Sequence, residues 1–270
     1  MDKKEIRKQI EKFQKIKPNK KQAEPLVSII IPSYNHEKYV EDCIKSCLKQ
    51  SHKNIEIIFI DDSSTDKSVE KAWKHSHPGF TVKPLGVNIG YAEVMNLGIK
   101  KAKGDFIVIL DSDNILTPYS IKARVKAFRK KPLLDVVYGL AYQIGKESYI
   151  DCLRGKFPKH GRYDNRVHDQ TVMFRKSVFH KVGLFCDMGN KLSSSDKEFF
   201  YRLGIHPNSP LPQQVKCGRI EDYMVYYRVH KKSMKQKRNE ALKKELRKAF
   251  FNRIVQLIQE GLTRKNTKWL

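Results

Sequence analysis

FIVILDSDN, residues 106–114, is the stretch on which the reading turns: five apolar residues, Phe106 to Leu110, run directly into Asp111-Ser112-Asp113-Asn114. A short, unbroken run of β-branched and aromatic residues describes a strand covered on both faces. Acid at its carboxyl end marks the rim of a sheet, because ionised carboxylates are seldom fully buried without a partner. Two stretches upstream repeat the design. Val27 to Ile31 forms a β-branched strand ended by Pro32, and Ile55 to Ile60 forms another that stops at Asp61-Asp62-Ser63-Ser64-Thr65-Asp66.

Helices fill the intervals. From Glu37 to Gln50, Val40, Cys43, Ile44, Cys47 and Leu48 fall at i, i+3, i+4, i+7 and i+8, which is one apolar stripe. The polar residues 61–66 cap a helix running through Trp73. A weaker strand, Phe80 to Leu85, leads through Gly86-Val87-Asn88-Ile89-Gly90 to a helix with Ala92, Met95, Ile99 and Ala102 inward and Gly104 closing it. Alternation from residue 26 to about 130 implies right-handed crossovers and an α/β fold, a mostly parallel central sheet with helices on both faces. Ligands in such sheets bind beyond the carboxyl ends of the strands. The segments Pro-Ser-Tyr-Asn, Asp-Asp-Ser-Ser and Asp-Ser-Asp should therefore meet on one rim. After residue 140 the regularity fails. Gly145, Gly155, Pro158 and Gly161 indicate a long loop region, followed by a strand near Thr171 to Phe174 and a helix near Asp196 to Leu203.

The 270 residues carry a net charge of +25, with 40% hydrophobic and 31% charged residues, which excludes wholesale disorder. The longest apolar runs, Leu26 to Ile31 and Ile55 to Ile60, reach about a third of the ~20 residues a membrane-crossing helix requires. MDKKEIRKQIEKF lacks the apolar centre of a secretory signal, and the five cysteines include no CxxC pair. Both features suggest reduced thiols and a cytoplasmic protein. Cys43 and Cys47 should simply face the core. The charge concentrates at the ends: thirteen Lys/Arg against three Glu in residues 231–270, and nine against four acids in residues 1–25. Residues 1–25 are an arm interrupted by Pro18 and Pro25. Residues 231–270 carry an amphipathic basic helix over Arg238 to Gly261, with Leu242, Leu246, Phe250, Ile254, Leu257 and Ile258 on one side.

The rim residues are the ones able to do chemistry. Asp111 and Asp113 lie about 7 Å apart along an extended chain. Such a pair suits Mg²⁺ or Mn²⁺ completed by water and phosphate, or else caps the following helix. Asp62 offers a carboxylate to a base N–H or caps a helix, and Tyr34 offers a stacking face or ordinary packing. Asp196, at a helix start, is a base or an N-cap. Neither GxxxxGK[ST] nor a G-x-G-x-x-G after a strand is present, and Cys and His spacing matches no zinc pattern. Carboxylate-held metal remains as the means of neutralising phosphate.

The ordered motifs VSIIIPSYNHEKYVEDCIKSCLKQ, IEIIFIDDSSTDKS and NIGYAEVMNLGIKKAKGDFIVILDSDN resemble those of the family 2 glycosyltransferases of the GT-A fold, over about residues 26 to 130. The resemblance continues more weakly through TVMFRKSVFHKVGLF, SSSDKEFFYRLG and VYYRVHKKSM. It implies a GT-A-like nucleotide-diphospho-sugar transferase: an arm at 1–25, a glycosyltransferase domain at 26–235 split into a nucleotide-binding half (26–130) and an acceptor-binding half (131–235), and a basic amphipathic C-terminal helix at 236–270. It further implies inverting transfer of a sugar from a UDP-sugar to an acceptor hydroxyl with Mn²⁺ or Mg²⁺. Pro32, Tyr34 and Asp62 would hold uracil and ribose, with Ser33, Asn35, Asn88, Gly90, Asn96 and Ser112 around the nucleotide. Asp111 would contact ribose or a metal-bound water, Asp113 would bind metal, His230 would be a further ligand and Arg228 a diphosphate contact. Asp196 would be the general base. Two departures stand out: Ser195 replaces the usual Glu before the base, making Glu198 a rival, and Ser63 replaces a turn glycine.

The implied acceptor is a glycan, lipid-linked or other hydroxyl, and Arg154, Lys156, Lys159, His160, Arg162 and Arg166 hint that it is anionic. The tail helix would touch the inner face of a membrane. A nucleotidyltransferase would usually bring a Gly-rich basic loop after the first strand, which is lacking. A nucleic-acid module would interleave aromatic residues with basic ones, and these do not cluster.

Overall fold

The computed structural model describes residues 23–145, 162–164, 169–186, 195–204, 214–230 and 252. The arm up to residue 22, most of the loop region after residue 145 with its cationic residues other than Arg162, and the C-terminal helix expected at 236–270 lie outside the described residues, apart from residue 252.

Strands β1 (Val27–Ser33), β2 (Ile55–Asp61), β3 (Phe80–Pro84) and β4 (Phe106–Ile109) form where the β-branched runs stand. They lie parallel in the order β3-β2-β1-β4, with Val27 opposite both Ile55 and Phe106. Because side chains alternate across a strand, each run feeds two cores. Ile29, Ile31, Ile57, Phe59 and Val108 pack with α1 (Val40–Leu48), α2 (Ser68–Trp73) and α4 (Ser120–Lys130). Ile30, Ile58, Ile60, Ile107 and Ile109 pack on the opposite face with α3 (Tyr91–Lys101), α5 (Val178–Val182) and α6 (Ser195–Leu203). Cys43 and Cys47 are free and buried in the first core, as expected.

β1 continues through Pro32 rather than ending there. The β1–β4 ladder stops at Ile30 and Ile109, where the Ile30 carbonyl accepts the Leu110 N–H, while pairing with β2 runs on to Ser33 and Asp61. Pro32 comes two residues after Ile30 and faces the same edge, beyond the last pair, so its missing N–H deprives that ladder of nothing. The sheet parts at this point, between β1 and β4.

The second half is mixed rather than parallel. β8 (Met173–Arg175) pairs antiparallel with β4 and with β6 (Val136–Ile144). β9 (Cys217–Arg228) runs parallel to β6 and antiparallel to the two-residue β5 (Ile115–Leu116), while β7 (Arg162–Asp164) borders β6. Alternation thus persists through Ile144, past residue 140. The twelve-residue β9 was not expected, because its first half, with Gly218, Arg219, Glu221 and Asp222, is largely exposed and carries no clean period.

Gly104 does not close α3, which ends at Lys101 with Ala102 as its C-cap. Its need for glycine is one of approach: a Cβ there would stand 2.7 Å from the Ser28 backbone nitrogen and 2.8 Å from the Leu26 carbonyl oxygen. The Gly104 N–H also donates to Ser28 Oγ and Glu56 Oε1. Gly104→Ala should therefore lower unfolding stability by about 1–3 kcal/mol through overpacking against backbone. An unchanged urea midpoint would contradict this account.

Candidate active site

The turns after β1 and β2 are laced together at the rim. The Asn35 N–H donates to Ser64 Oγ, Asn35 Oδ1 accepts the Thr65 N–H, and the Asp62 N–H donates to the Ser33 carbonyl. Asn35 and Ser63 both have positive φ, 56° and 67°, so Ser63 leaves the turn intact in a backbone region that favours glycine. Tyr34 remains 49% exposed, a free aromatic face beside this lacing. Asp62 is buried and pins the approach to α3: Oδ1 accepts the Ile89 N–H at 2.7 Å and Oδ2 the Gly90 N–H at 3.0 Å, while Asn88 Nδ2 donates to its carbonyl. Each carboxylate oxygen keeps a second lone pair for a ligand.

Beyond β4 the acids gather. Asp111 Oδ1 accepts the Tyr91 hydroxyl at 2.7 Å, and the Asp111 N–H donates to Gln170 Oε1 at 2.6 Å. Burial, then the neighbouring Asp169 and Asp113 charges, push the Asp111 carboxyl well above its usual range. Asp169 opens a single 3₁₀ turn, Asp169–Thr171, and its oxygens accept the Gln170 N–H and Gln170 Nε2. Burial and then Asp196 raise it to about 7. Asp196 sits in the first turn of α6, half-buried. Desolvation, followed by Asp111, also raises the Tyr91 hydroxyl well above 10. The Tyr227 hydroxyl is raised by burial and by Asp111, Asp169, Asp113 and Asp196.

The third group surrounds Asp113. His230, just past β9, places Nε2 3.0 Å from Asp113 Oδ2, and its ring lies 4.6 Å from that of Tyr39. His36 Nδ1 is 2.8 Å from Ser112 Oγ. Burial lowers the His36 pKa, with Asp113 opposing and His230 reinforcing the shift, so the ring stays neutral and keeps a lone pair. Ligand atoms of His36, Asp113 and His230 all lie within 4.8 Å of one another. Asp113 Oδ1 is buried with no hydrogen-bond partner among the described residues. A buried carboxylate oxygen without a partner, in a group beside two imidazoles, costs free energy unless a cation satisfies it, so these residues fit a divalent metal.

Several expected residues are engaged elsewhere. Glu198 is wholly buried and accepts two bonds from Arg202, from Nε at 2.6 Å and Nη2 at 2.8 Å, which removes it as a rival base. Asn96 is buried, and its amide grips both the N–H and the carbonyl of Phe185; it holds α3 to the following layer rather than facing a nucleotide. Arg228 reaches Asp42 through Nη2 at 3.3 Å and stacks 4.8 Å over Tyr39, which itself packs against His230, while its Nε has no hydrogen-bond partner among the described residues. Conversely, His36, Tyr91, Asp169 and Gln170 belong to the cluster and were not singled out. His36 directly follows the Pro-Ser-Tyr-Asn segment, a signal that was available. Asp169 lies in an irregular stretch with no pattern to mark it.

Residues 28–203, more than half of the chain, match the model of glycosyl transferase family 2, and the chain belongs to this family. It is 39% identical over 119 residues to the glycosyltransferase GlyG of Streptococcus pneumoniae serotype 4, covering 43% of this chain and 39% of that protein. Matches to three curated relatives span 38% to 54% of their lengths. S. aureus TarS 1-349 in complex with UDP-GlcNAc has the same fold, with a TM-score of 0.60 at 19% identity over 88% of this chain and 72% of that one. A mannosyltransferase from Pyrobaculum calidifontis, solved with GDP-Man and Mn²⁺, superposes with a TM-score of 0.60 at 17% identity, covering 92% and 70%. Among the described residues no helix is long and apolar enough to cross a membrane.

The raised Asp169 carboxyl has a thermodynamic signature. Its folded pKa of about 7 exceeds the unfolded value of about 3.9. The folded state therefore binds the extra proton, and stability falls as pH rises between those values. Asp169→Asn should remove this dependence. The difference in unfolding free energy, variant minus wild type, should grow from pH 4 to pH 7 in metal-free buffer and then level off. A pH-independent difference in denaturant titrations would refute it.

Proposed function

We propose that the chain moves a sugar from a nucleotide sugar, a UDP-sugar, to an acceptor hydroxyl with inversion, using Mn²⁺ or Mg²⁺, in glycan or cell-surface polysaccharide synthesis. The observation that carries this reading is the arrangement of Asp113 and His230 beside an orphaned carboxylate oxygen, with Asp196 electrostatically linked to the same acidic group. Tyr34 and Asp62 stand on the neighbouring strand ends for the base, and Asp111 lies between them and the metal ligands for the ribose. These assignments divide the domain at 26–235 into a nucleotide half and an acceptor half near residue 130.

Inversion requires one in-line displacement, with a carboxylate on the acceptor side to take the hydroxyl proton. Asp196 fills that role: at the start of α6 the positive helix end favours its ionised form. Asp169 beside it holds a proton up to about pH 7, which limits the negative charge packed around Asp196. Tyr91 anchors Asp111 so that one oxygen stays directed. Asp113 and His230 would hold the cation, which when bound would supply charge to stabilise a departing diphosphate. Mn²⁺ beside GDP-Man in the archaeal mannosyltransferase and UDP-GlcNAc in TarS support this pairing of nucleotide sugar and metal. The basic ends of the chain suit an acidic membrane face or an anionic acceptor, each surface cation adding about 1 kcal/mol near acidic lipid.

Nucleotide release across a panel of UDP-sugars with Mn²⁺ tests the proposal. Wild type should release UDP in a metal-dependent manner, and Asp113→Ala should abolish both release and metal-dependent UDP binding. Asp196→Asn should bind UDP normally and lose about 10²- to 10⁴-fold in turnover. No release from any donor, with no metal-dependent UDP binding, would reject the transferase reading in favour of a polyanion-binding module.

A further inference from the structure

Among the residues around Asp113, His36 has no part in the donor site proposed above, yet it sits at the same point. Its backbone is fixed on both sides: the N–H donates to Ser68 Oγ at 2.9 Å, and the carbonyl accepts the Tyr39 and Val40 N–H groups. Its ring is oriented by Ser112, the residue between the two acids, through the 2.8 Å contact at Nδ1. A serine hydroxyl there can accept the Nδ1–H, and in that tautomer the Nε2 lone pair is left for a ligand. Metal-bound histidines are usually oriented in this way, by a partner on the nitrogen that does not ligate.

We infer that His36 is a third protein ligand of the divalent cation, with Asp113 and His230, and that this two-imidazole, one-carboxylate set selects a transition metal over Mg²⁺. Atoms bound about 2.1 Å from one centre stand about 3.0 Å apart at right angles and about 4.2 Å apart when opposed. The 3.0 Å separation of His230 Nε2 and Asp113 Oδ2 equals the first of these. The ligand atoms of the three groups lie within 4.8 Å of one another, at most about 0.6 Å beyond the second, within the reach of a side-chain adjustment. The charge argument agrees: neutral imidazoles add affinity without adding negative charge. Mg²⁺ favours oxygen ligands and keeps its waters, whereas transition metals accept imidazole nitrogen more readily, Zn²⁺ and Co²⁺ more strongly than Mn²⁺. Three ligands from the chain itself also mean that the metal binds before any nucleotide arrives.

This inference shares Asp113 and His230 with the transferase reading but adds His36, metal selectivity and nucleotide-free binding. The test is electron paramagnetic resonance on the full chain, labelled with ¹⁵N-histidine and loaded with Mn²⁺ alone. Spin-echo modulation should show two imidazole nitrogens on one bound ion, and His36→Gln should leave one. The same variant should weaken Mn²⁺ binding by about tenfold or more, the range seen when ligand shells are altered, with Mg²⁺ competition shifting much less. One imidazole or none in the wild type, unchanged Mn²⁺ affinity in His36→Gln, or equal losses for both metals would overturn the inference. The wild-type spectrum decides the matter if His36→Gln unfolds. UDP-sugar turnover by the same preparations separates the two claims. Turnover with one imidazole on the metal rejects the His36 assignment alone, and two imidazoles without turnover reject the transferase reading alone.

Discussion

β1 lies between β2 and β4, and the point where its pairing with β4 ends is the constraint from which the site follows. Strands β1, β2 and β3 progress in one direction, and the chain then returns to place β4 on the other side of β1. Segments leaving β1 and β4 must diverge there, which opens a crevice at a topological switch point. Ile30 and Ile109 form the last pair, and Pro32 stands where a further rung would have been. The Tyr34–His36 turn and the Asp111–Asn114 turn are the two lips of that opening. His36 therefore faces Asp113 although 77 positions separate them, and no local propensity could have brought them together.

Rigidity at the acidic lip comes from the second half of the sheet. Arg124, fully buried on α4, donates to the carbonyls of Thr171 and Val172. Its burial lowers its pKa to about 9. Bonds to a charged donor contribute about 1.5–3 kcal/mol each, enough to hold the Asp169–Thr171 turn against β4. From that turn Gln170 reaches the Asp111 N–H, and from β9 the Arg228 N–H reaches Asn114 Oδ1. The segment from Asp111 to Asn114 is thus fixed from two sides, which limits the reorganisation needed when charge develops nearby.

How far the sequence could be read depends on whether a residue's role is local. Val27–Ile31, Ile55–Ile60 and Phe106–Leu110 announce their strands because burial on both faces leaves no polar positions to confuse the pattern. The rim position of Asp111 and Asp113 is legible because acid directly after such a run marks the carboxyl end of a buried strand. Asn96 and Glu198 misled for the opposite reason. Polar residues near a rim look functional, and only the fold shows that Asn96 clasps Phe185 and that Glu198 neutralises Arg202. Asp169 and the long β9 were hidden because their partners, β4 and β6, are distant in sequence, and the exposed half of β9 alternates irregularly. Half of the sheet is mixed for the same reason: antiparallel pairing of β4 with β8 is a choice of tertiary contact, not of strand propensity.

The electrostatics of the molecule divide by distance. A net charge of +25 draws anions towards the surface, but screening confines any single charge to about 8 Å at physiological salt. The acids gathered at the crevice are Asp111, Asp113, Asp169 and Asp196, and on the proposed reading a diphosphate arriving there without a cation would meet their repulsion. The protonated state of Asp169 up to about pH 7 removes one charge, and a bound dication removes two more. Metal and nucleotide then favour each other's binding, and by linkage the coupling is equal in both directions. On the proposed reading the imidazoles of His36 and His230 sharpen this arrangement. A third carboxylate would hold the cation by cancelling its charge, whereas two nitrogens hold it and leave positive charge facing outward for the phosphate oxygens.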